Sequence, residues 1–235
     1  MANKKVIMVS GANRGIGLKV AQTLVAQGYS VSLGMRNLKD ISGIDSKDHL
    51  LFEYDAMRRE TAGNWVEATV KRYGRLDGLV NVAGILNVVP LEGGPENDDA
   101  DEAALDALWQ GNVKGPWWLI RRAMPHLKQA KTGRIVTVVS MSGKRVKGVS
   151  AGYAVSKFAQ MALHHAARNV GWDDGVRSVA ICPGWVKTDM ITEVCKLPDD
   201  QIIQPQTIAD LVVMALQLPN QASIGELTVQ CELEM

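Results

Sequence analysis

The 235-residue sequence is 46% hydrophobic and 22% charged, the composition of a globular chain with enough apolar residues for its own core. Its 26 basic and 25 acidic residues leave a net charge of +1, which gives nucleic acid or any other polyanion no general field to bind. Three cysteines, Cys182, Cys195 and Cys231, show neither CxxC nor metal-ligand spacing, so free thiols in a reducing compartment are expected and a metal site is not.

In chain order, short β-branched runs at 6–9, 31–33, 50–54, 79–82, 135–139, 176–181 and 227–230 alternate with segments of helical period near 15–27, 58–73, 102–130, 152–170 and 205–218. The basic start and the run 6–9 are too short for a signal peptide, and no stretch approaches the ~20 apolar residues of a spanning helix. A cytoplasmic protein without a membrane partner is the expectation. Several runs are apolar on both faces, which suits strands of a parallel sheet covered by helices on each side. Ala21, Leu24 and Val25 give the first helix an apolar stripe, and Ala104, Leu105 and Leu108 do the same over 102–130. The alternation predicts one α/β domain over 1–235, a Rossmann-like, doubly wound, seven-stranded parallel sheet flanked by helices on both faces. The acidic run 96–102 reads as a solvated loop complementing a helix N-terminus rather than as a metal site.

After the first run comes Ser10-Gly11-Ala12-Asn13-Arg14-Gly15-Ile16-Gly17. Glycines at a strand-to-helix turn let the backbone approach a pyrophosphate, which free N–H groups at the helix N-terminus then hold. The spacing is GxxxGxG, not the commonest dinucleotide fingerprint. Further along, Tyr153 and Lys157 stand four residues apart, so one helix face presents a phenol and an ammonium to a shared site. A cation beside a phenol lowers its pKa and makes it a usable proton donor or acceptor. Ser140 follows the fifth run, thirteen residues before Tyr153, with Ser142 as a rival better suited to a loop. Asn81-Val82-Ala83-Gly84 closes the fourth run, Asn112 lies in the long helix, and Pro183-Gly184-Trp185-Val186-Lys187-Thr188 follows the sixth.

Together these motifs resemble the short-chain dehydrogenase/reductase family over essentially the whole chain. Ser10–Gly17 is similar to its TGxxxGIG turn, with Ser for Thr, and Asn81–Gly84 to its NNAG, with Val82 for the second Asn. Tyr153 and Lys157 match YxxxK, and Pro183–Thr188 matches the PGxVxT clamp. The two substitutions imply slightly weaker turn packing but remove no catalytic group. The resemblance implies a catalytic set of Asn112, Ser140, Tyr153 and Lys157. Tyr153 would exchange the proton with the substrate oxygen. Lys157 would depress the Tyr153 pKa and bond the nicotinamide ribose. Ser140 would polarise the carbonyl, and Asn112 would hold a relay water. The implied cofactor site adds Gly11, Asn13, Arg14, Gly15, Ile16, Gly17, Arg36, Asp55, Asn81, Ala83, Gly84, Pro183, Gly184, Val186 and Thr188 to Tyr153 and Lys157, with Asp55 accepting from the adenine amino group.

An NAD-selective site usually places a carboxylate after the second strand. Here Met35 stands at that position and Arg36 follows, while Arg14 lies inside the glycine turn. Two guanidiniums suit a 2′-phosphate, so NADP(H) is the preferred cofactor, with NAD(H) still open. The expected activity is reduction of a small-molecule carbonyl, with NAD-linked alcohol oxidation or a non-catalytic NADPH sensor as alternatives. Met141, Trp185, Met190 and Ile191 read equally as a substrate pocket or as ordinary packing. Lys144, Arg145 and Lys147 read as a solvated loop, with attraction of an anionic substrate as the second reading. His49, His126, His164 and His165 read as structural or surface residues. A homodimer or homotetramer is implied by the resemblance, with Trp117, Trp118 and Leu119 on one helix and Met161, Ala162 and Ala166 on another as contacts, some of which read equally as interior packing. The C-terminal run lacks the Asp-Gly-Gly of many relatives, which puts the usual tetramer contact in doubt.

Overall fold

The computed structural model describes residues 4–38, 41, 43–192 and 194–231. Seven strands, β1 (Val6–Ser10), β2 (Ser30–Met35), β3 (Leu50–Glu53), β4 (Gly78–Asn81), β5 (Arg134–Val138), β6 (Arg177–Pro183) and β7 (Glu226–Val229), form one sheet. Their order is β3-β2-β1-β4-β5-β6-β7, and every neighbouring pair runs parallel. Each apolar run of the sequence marks one of these strands to within about two residues.

Helices α1 (Gly15–Ala26), α2 (Arg59–Tyr73), α3 (Asp98–Trp109), α4 (Gly115–Gln129), α5 (Ala151–Gly171) and α6 (Pro205–Gln217) connect them. Side chains alternate across each strand, so both faces of the sheet are buried. Ile7 and Val9 of β1 join Val20 and Leu24 of α1 and Ile208 and Val212 of α6 in one core. Met8, between them, joins Trp65 of α2, Leu119 of α4 and Leu163 of α5 in the other. The expected α/β architecture is present. No helix among the described residues is long and apolar enough to cross a membrane.

One expectation needs correction, and one open choice is decided. The long helix over 102–130 is α3 and α4 joined by a π-helical turn, Gln110–Lys114. Leu119 and Met161, open between a subunit contact and interior packing, are buried inside the chain at 0% and 6% exposure, which decides for packing. Both belong to the sheet-facing side of an amphipathic helix, whereas Trp117, Val155 and Phe158 lie on the exposed side. The acidic residues Asp98, Asp99 and Asp101 occupy the first turn of α3, where they complement its dipole. His164 is buried with Nδ1 2.8 Å from Ser178 Oγ. Burial lowers its pKa to about 4, so the ring is neutral near pH 7.

Candidate active site

In this strand order the chain reverses direction across the sheet between β1 and β4, and a cleft of about 690 Å³ opens at the strands' carboxyl ends. The β1–α1 turn forms its floor. Gly11 and Gly15 adopt φ of +69° and +53°, which a side chain would strain. A Cβ at Gly17 would fall 2.1 Å from the Gly11 carbonyl oxygen, so only glycine lets α1 start this close to β1. Arg14, the N-cap residue of α1, makes no side-chain capping bond, and the helix start faces the cleft floor.

Ser10 holds this turn to the neighbouring strand. Its Oγ accepts from the backbone N–H groups of Val82 and Ala83, at 3.0 and 3.1 Å. The replacement of Thr by Ser therefore keeps the cross-strand bond, and the apolar Val82 contributes through its main chain. Asn112, fully buried in the π turn, accepts from Ile85 N–H at 2.9 Å. Its Nδ2 donates to Ile85 O at 3.0 Å and to Ser156 Oγ at 3.1 Å. The segment after β4 is thus pinned from both sides. A Cβ at Gly84 would stand 3.0 Å from Asn112 Oδ1 and 3.7 Å from Lys157 Nζ, so the absent side chain leaves room beside both groups.

Ser140, Tyr153 and Lys157 line one wall of the cleft. Ser140 follows β5 by two residues, and its Oγ accepts from Ser142 N–H at 3.0 Å, which fixes the hydroxyl and gives its rival a supporting part. Burial pushes the Tyr153 hydroxyl up to about 12, against a downward pull from its hydrogen bond with Ser140. Burial also pulls the Lys157 ammonium down to about 8. Lys157 Nζ donates to the buried Gln160 Oε1 at 2.9 Å and stands 5.6 Å from the centre of the Tyr153 ring. The Tyr153 shift is thus set by burial and the Ser140 bond, while Lys157 is held on Gln160. Gln160, one turn beyond Lys157, was not singled out from sequence; its i,i+3 spacing was the available signal.

The opposite wall comes from the chain after β6. Val186 bridges to Ile203, and Thr188 Oγ1 donates to Val186 O at 3.3 Å. A Cβ at Gly15 would sit 3.1 Å from Thr188 Cγ2, so this segment packs directly on the glycine turn. Arg14 pairs with Asp189 at 3.4 Å, both side chains being mostly exposed. Such a pair is worth about 0–1 kcal/mol and yields readily to a ligand. Exposed Arg36 lines the cleft where β2 ends. Asp55 Oδ1 accepts from Met57 N–H at 3.0 Å, an ordinary turn bond.

The cleft gathers every residue singled out for the site except Asn81 and Asn112, which lie behind its wall. Asn81 Nδ2 reaches Thr137 Oγ1 at 3.5 Å, while its Oδ1 is buried without a partner. Met141, Trp185, Met190 and Ile191 all line the cleft, and Met141 and Trp185 also pack against the core. The basic cluster divides. Lys144 turns to an ion pair with Glu226, whereas Arg145 and Lys147 line the cleft.

Residues 5–197 match the family described as short chain dehydrogenase. An agropine synthesis reductase of Rhizobium rhizogenes is 38% identical over 232 residues, covering 97% of this chain and 53% of the relative. The chain thus spans about half the length of the first curated relatives it matches. An uncharacterized oxidoreductase of Staphylococcus saprophyticus is 29% identical, covering 96% of this chain and 97% of its own. Among solved structures, an alcohol dehydrogenase from the archaeon Thermococcus sibiricus complexed with 5-hydroxy-NADP superposes with a TM-score of 0.83. It is 25% identical, with 96% of each chain covered. A dehydrogenase/reductase from Sinorhizobium meliloti gives a TM-score of 0.83 at 26% identity, covering 96% of this chain and 93% of that one. Motifs, sheet order and these likenesses agree: the chain belongs to the short-chain dehydrogenase family of oxidoreductases.

Proposed function

We propose that this protein is an NADPH-dependent reductase of a ketone or aldehyde, a carbonyl reductase. The observation that carries the reading is the convergence of Ser140, Tyr153 and Lys157 on one wall of a cleft whose floor is an uncapped helix N-terminus. The residues present fit a dinucleotide. Gly11, Asn13, Gly15, Ile16 and Gly17 offer close backbone approach and free N–H groups to a pyrophosphate. Arg14 and Arg36 answer a 2′-phosphate, Asp55 the adenine amino group, and Pro183, Gly184, Val186 and Thr188 clamp the nicotinamide end. Ala83 and Gly84, backed by Asn81, leave space for the riboses. When bound, the cofactor supplies the hydride.

The chain's own residues handle the oxygen. Ser140, fixed by the Ser142 N–H, donates to the carbonyl oxygen and stabilises the charge that grows there. Tyr153, protonated near neutral pH, gives its proton to that oxygen. Lys157 leaves Gln160 for the ribose and brings its charge toward the phenol. Asn112 holds the chain at Ile85 and positions a water that passes protons from Lys157 to solvent. The exposed apolar side chains of Trp109 on α3, Trp117 on α4, and Val155 and Phe158 on α5 support pairing of two copies into a dimer. A non-catalytic sensor would have no use for the complete set of four.

The test follows loss of NADPH absorbance with a panel of ketones and aldehydes. Tyr153→Phe should bind NADPH as the wild type does but lose roughly 10²–10⁴-fold in kcat, the usual contribution of a positioned acid. Turnover unaffected by the substitution would remove Tyr153 from the reaction.

A further inference from the structure

The face of α5 that carries Tyr153 and Lys157 continues with Gln160 and His164, at spacings of three and four residues. Lys157, Gln160 and His164 are buried at 5%, 1% and 0% exposure, a polar stripe where an amphipathic helix ordinarily places apolar side chains. His164 has its own partner, Ser178 of β6, and is neutral near pH 7. Gln160 serves Lys157 instead: its Oε1 accepts from Lys157 Nζ at 2.9 Å. An apolar side chain would pack that interior position at least as well, so packing alone gives no reason for an amide there.

Lys157 lines the cleft and Gln160 does not, so the amide stands behind the ammonium. Among the described residues no carboxylate pairs with Lys157. The ionisable groups facing it are Tyr153, whose ring centre is 5.6 Å from Nζ, and Cys182 of β6. Burial pulls the lysine down to about 8, against an upward pull from Cys182, while the acids of α3 and the bases of α4 exert no pull on it. Lys144, in the turn after Ser140, is taken by Glu226 of β7. Asn112 of the π turn is neutral and is occupied by Ile85 and Ser156. A buried ammonium stays charged only as far as something replaces its water, and the acceptor supplied here is a neutral carbonyl.

We propose that Gln160 is a positioning residue for the reduction: its side-chain carbonyl keeps the Lys157 ammonium charged in the cleft wall until the cofactor ribose takes it over. This assignment deepens the reductase reading and rests on it for the use made of the charge. Gln160 touches neither cofactor nor substrate and acts through Lys157. Its carbonyl holds the cation ready beside Tyr153, so the unliganded cleft meets the cofactor with the proton already in place.

The experiment reads Lys157 directly. Nuclear magnetic resonance of the cofactor-free protein, labelled at the lysine ε-carbons, follows its titration, and the Lys157 signal is the one missing from Lys157→Arg. Gln160→Met keeps the length of the side chain but loses the carbonyl. Lys157 should then titrate about one pH unit or more below the wild type, as expected for the loss of a hydrogen bond to a charged group. Gln160→Glu puts a carboxylate in the same place, and Lys157 should titrate about one unit or more above the wild type. The alkaline limb of kcat/KM for NADPH, which reports the free protein, should move with each variant. A titration unmoved, or moved the same way in both variants, overturns the proposal, because a purely structural glutamine would lower the urea midpoint without sorting the two by charge. Should Gln160→Met not fold, Gln160→Glu decides alone, and a titration that fails to rise overturns the proposal. Opposite shifts without turnover of any carbonyl would instead defeat the reductase reading and leave the hold of Gln160 on Lys157 standing.

Discussion

Ser10 Oγ lies 3.1 Å from the backbone nitrogen of Ala83, and this bond, with its twin to Val82, joins the glycine turn to the chain after β4. Both N–H groups belong to partly buried residues, and neither is available to a ladder hydrogen bond once the strand has ended. Ser10→Ala leaves them without that partner, at a cost of about 1–3 kcal/mol for the buried groups. Urea denaturation should show that loss, with NADPH affinity falling alongside it. An unchanged midpoint would mean that water replaces the hydroxyl at no cost.

Cofactor choice should rest on the two exposed arginines. Each charge-assisted bond to a 2′-phosphate contributes roughly 1.5–3 kcal/mol, or about ten- to a hundredfold in affinity. Arg14→Ala with Arg36→Ala should therefore weaken NADPH by at least about a hundredfold and NADH by far less. The fluorescence of bound reduced nicotinamide measures both constants. Equal losses would contradict the assignment.

The pH profile should report Lys157. Its pKa is lowered to about 8, so the cation persists below that value and is lost above it. Tyr153, raised to about 12, keeps its proton throughout the working range. Reduction should be level from pH 6 to about 7.5, then fall with the loss of one proton, approaching tenfold per pH unit. A profile flat to pH 10 would show that the ammonium charge plays no part.

Much of the frame is legible in the sequence because its signals are local. Val6–Val9 reads as a strand from its side chains alone, and the spacing of Gly11, Gly15 and Gly17 announces a turn whose geometry tolerates nothing larger. Tyr153 and Lys157 declare themselves through helix periodicity. What was hidden depends on long-range contacts. Nothing near Leu119 says which side of α4 meets the sheet, and so its choice between interior packing and a subunit contact stays open in the sequence. Lys144, Arg145 and Lys147 form one basic run by sequence, yet Glu226, 82 residues from Lys144, draws the first away from the cleft. The pKa of Tyr153 follows from how tightly the fold encloses it, a quantity that i,i+4 spacing does not encode.

The π-helical turn that carries Asn112 sets a regular helix against the placement of one buried side chain. Such a turn holds one residue more than an α-helix would, and its looser ladder is an enduring cost to the fold. Removing a single residue from Gln110–Lys114 would let α3 and α4 merge into one regular helix. It would also turn everything on one side by about 100° relative to the other, because each α-helical residue advances by that angle. Asn112 could not then face Ile85 while Leu108 and Leu119 both kept their places in the interior. The insertion therefore works as a fixed rotational offset, which a shorter and stiffer version of this chain would forfeit along with its alignment of β4 and α5.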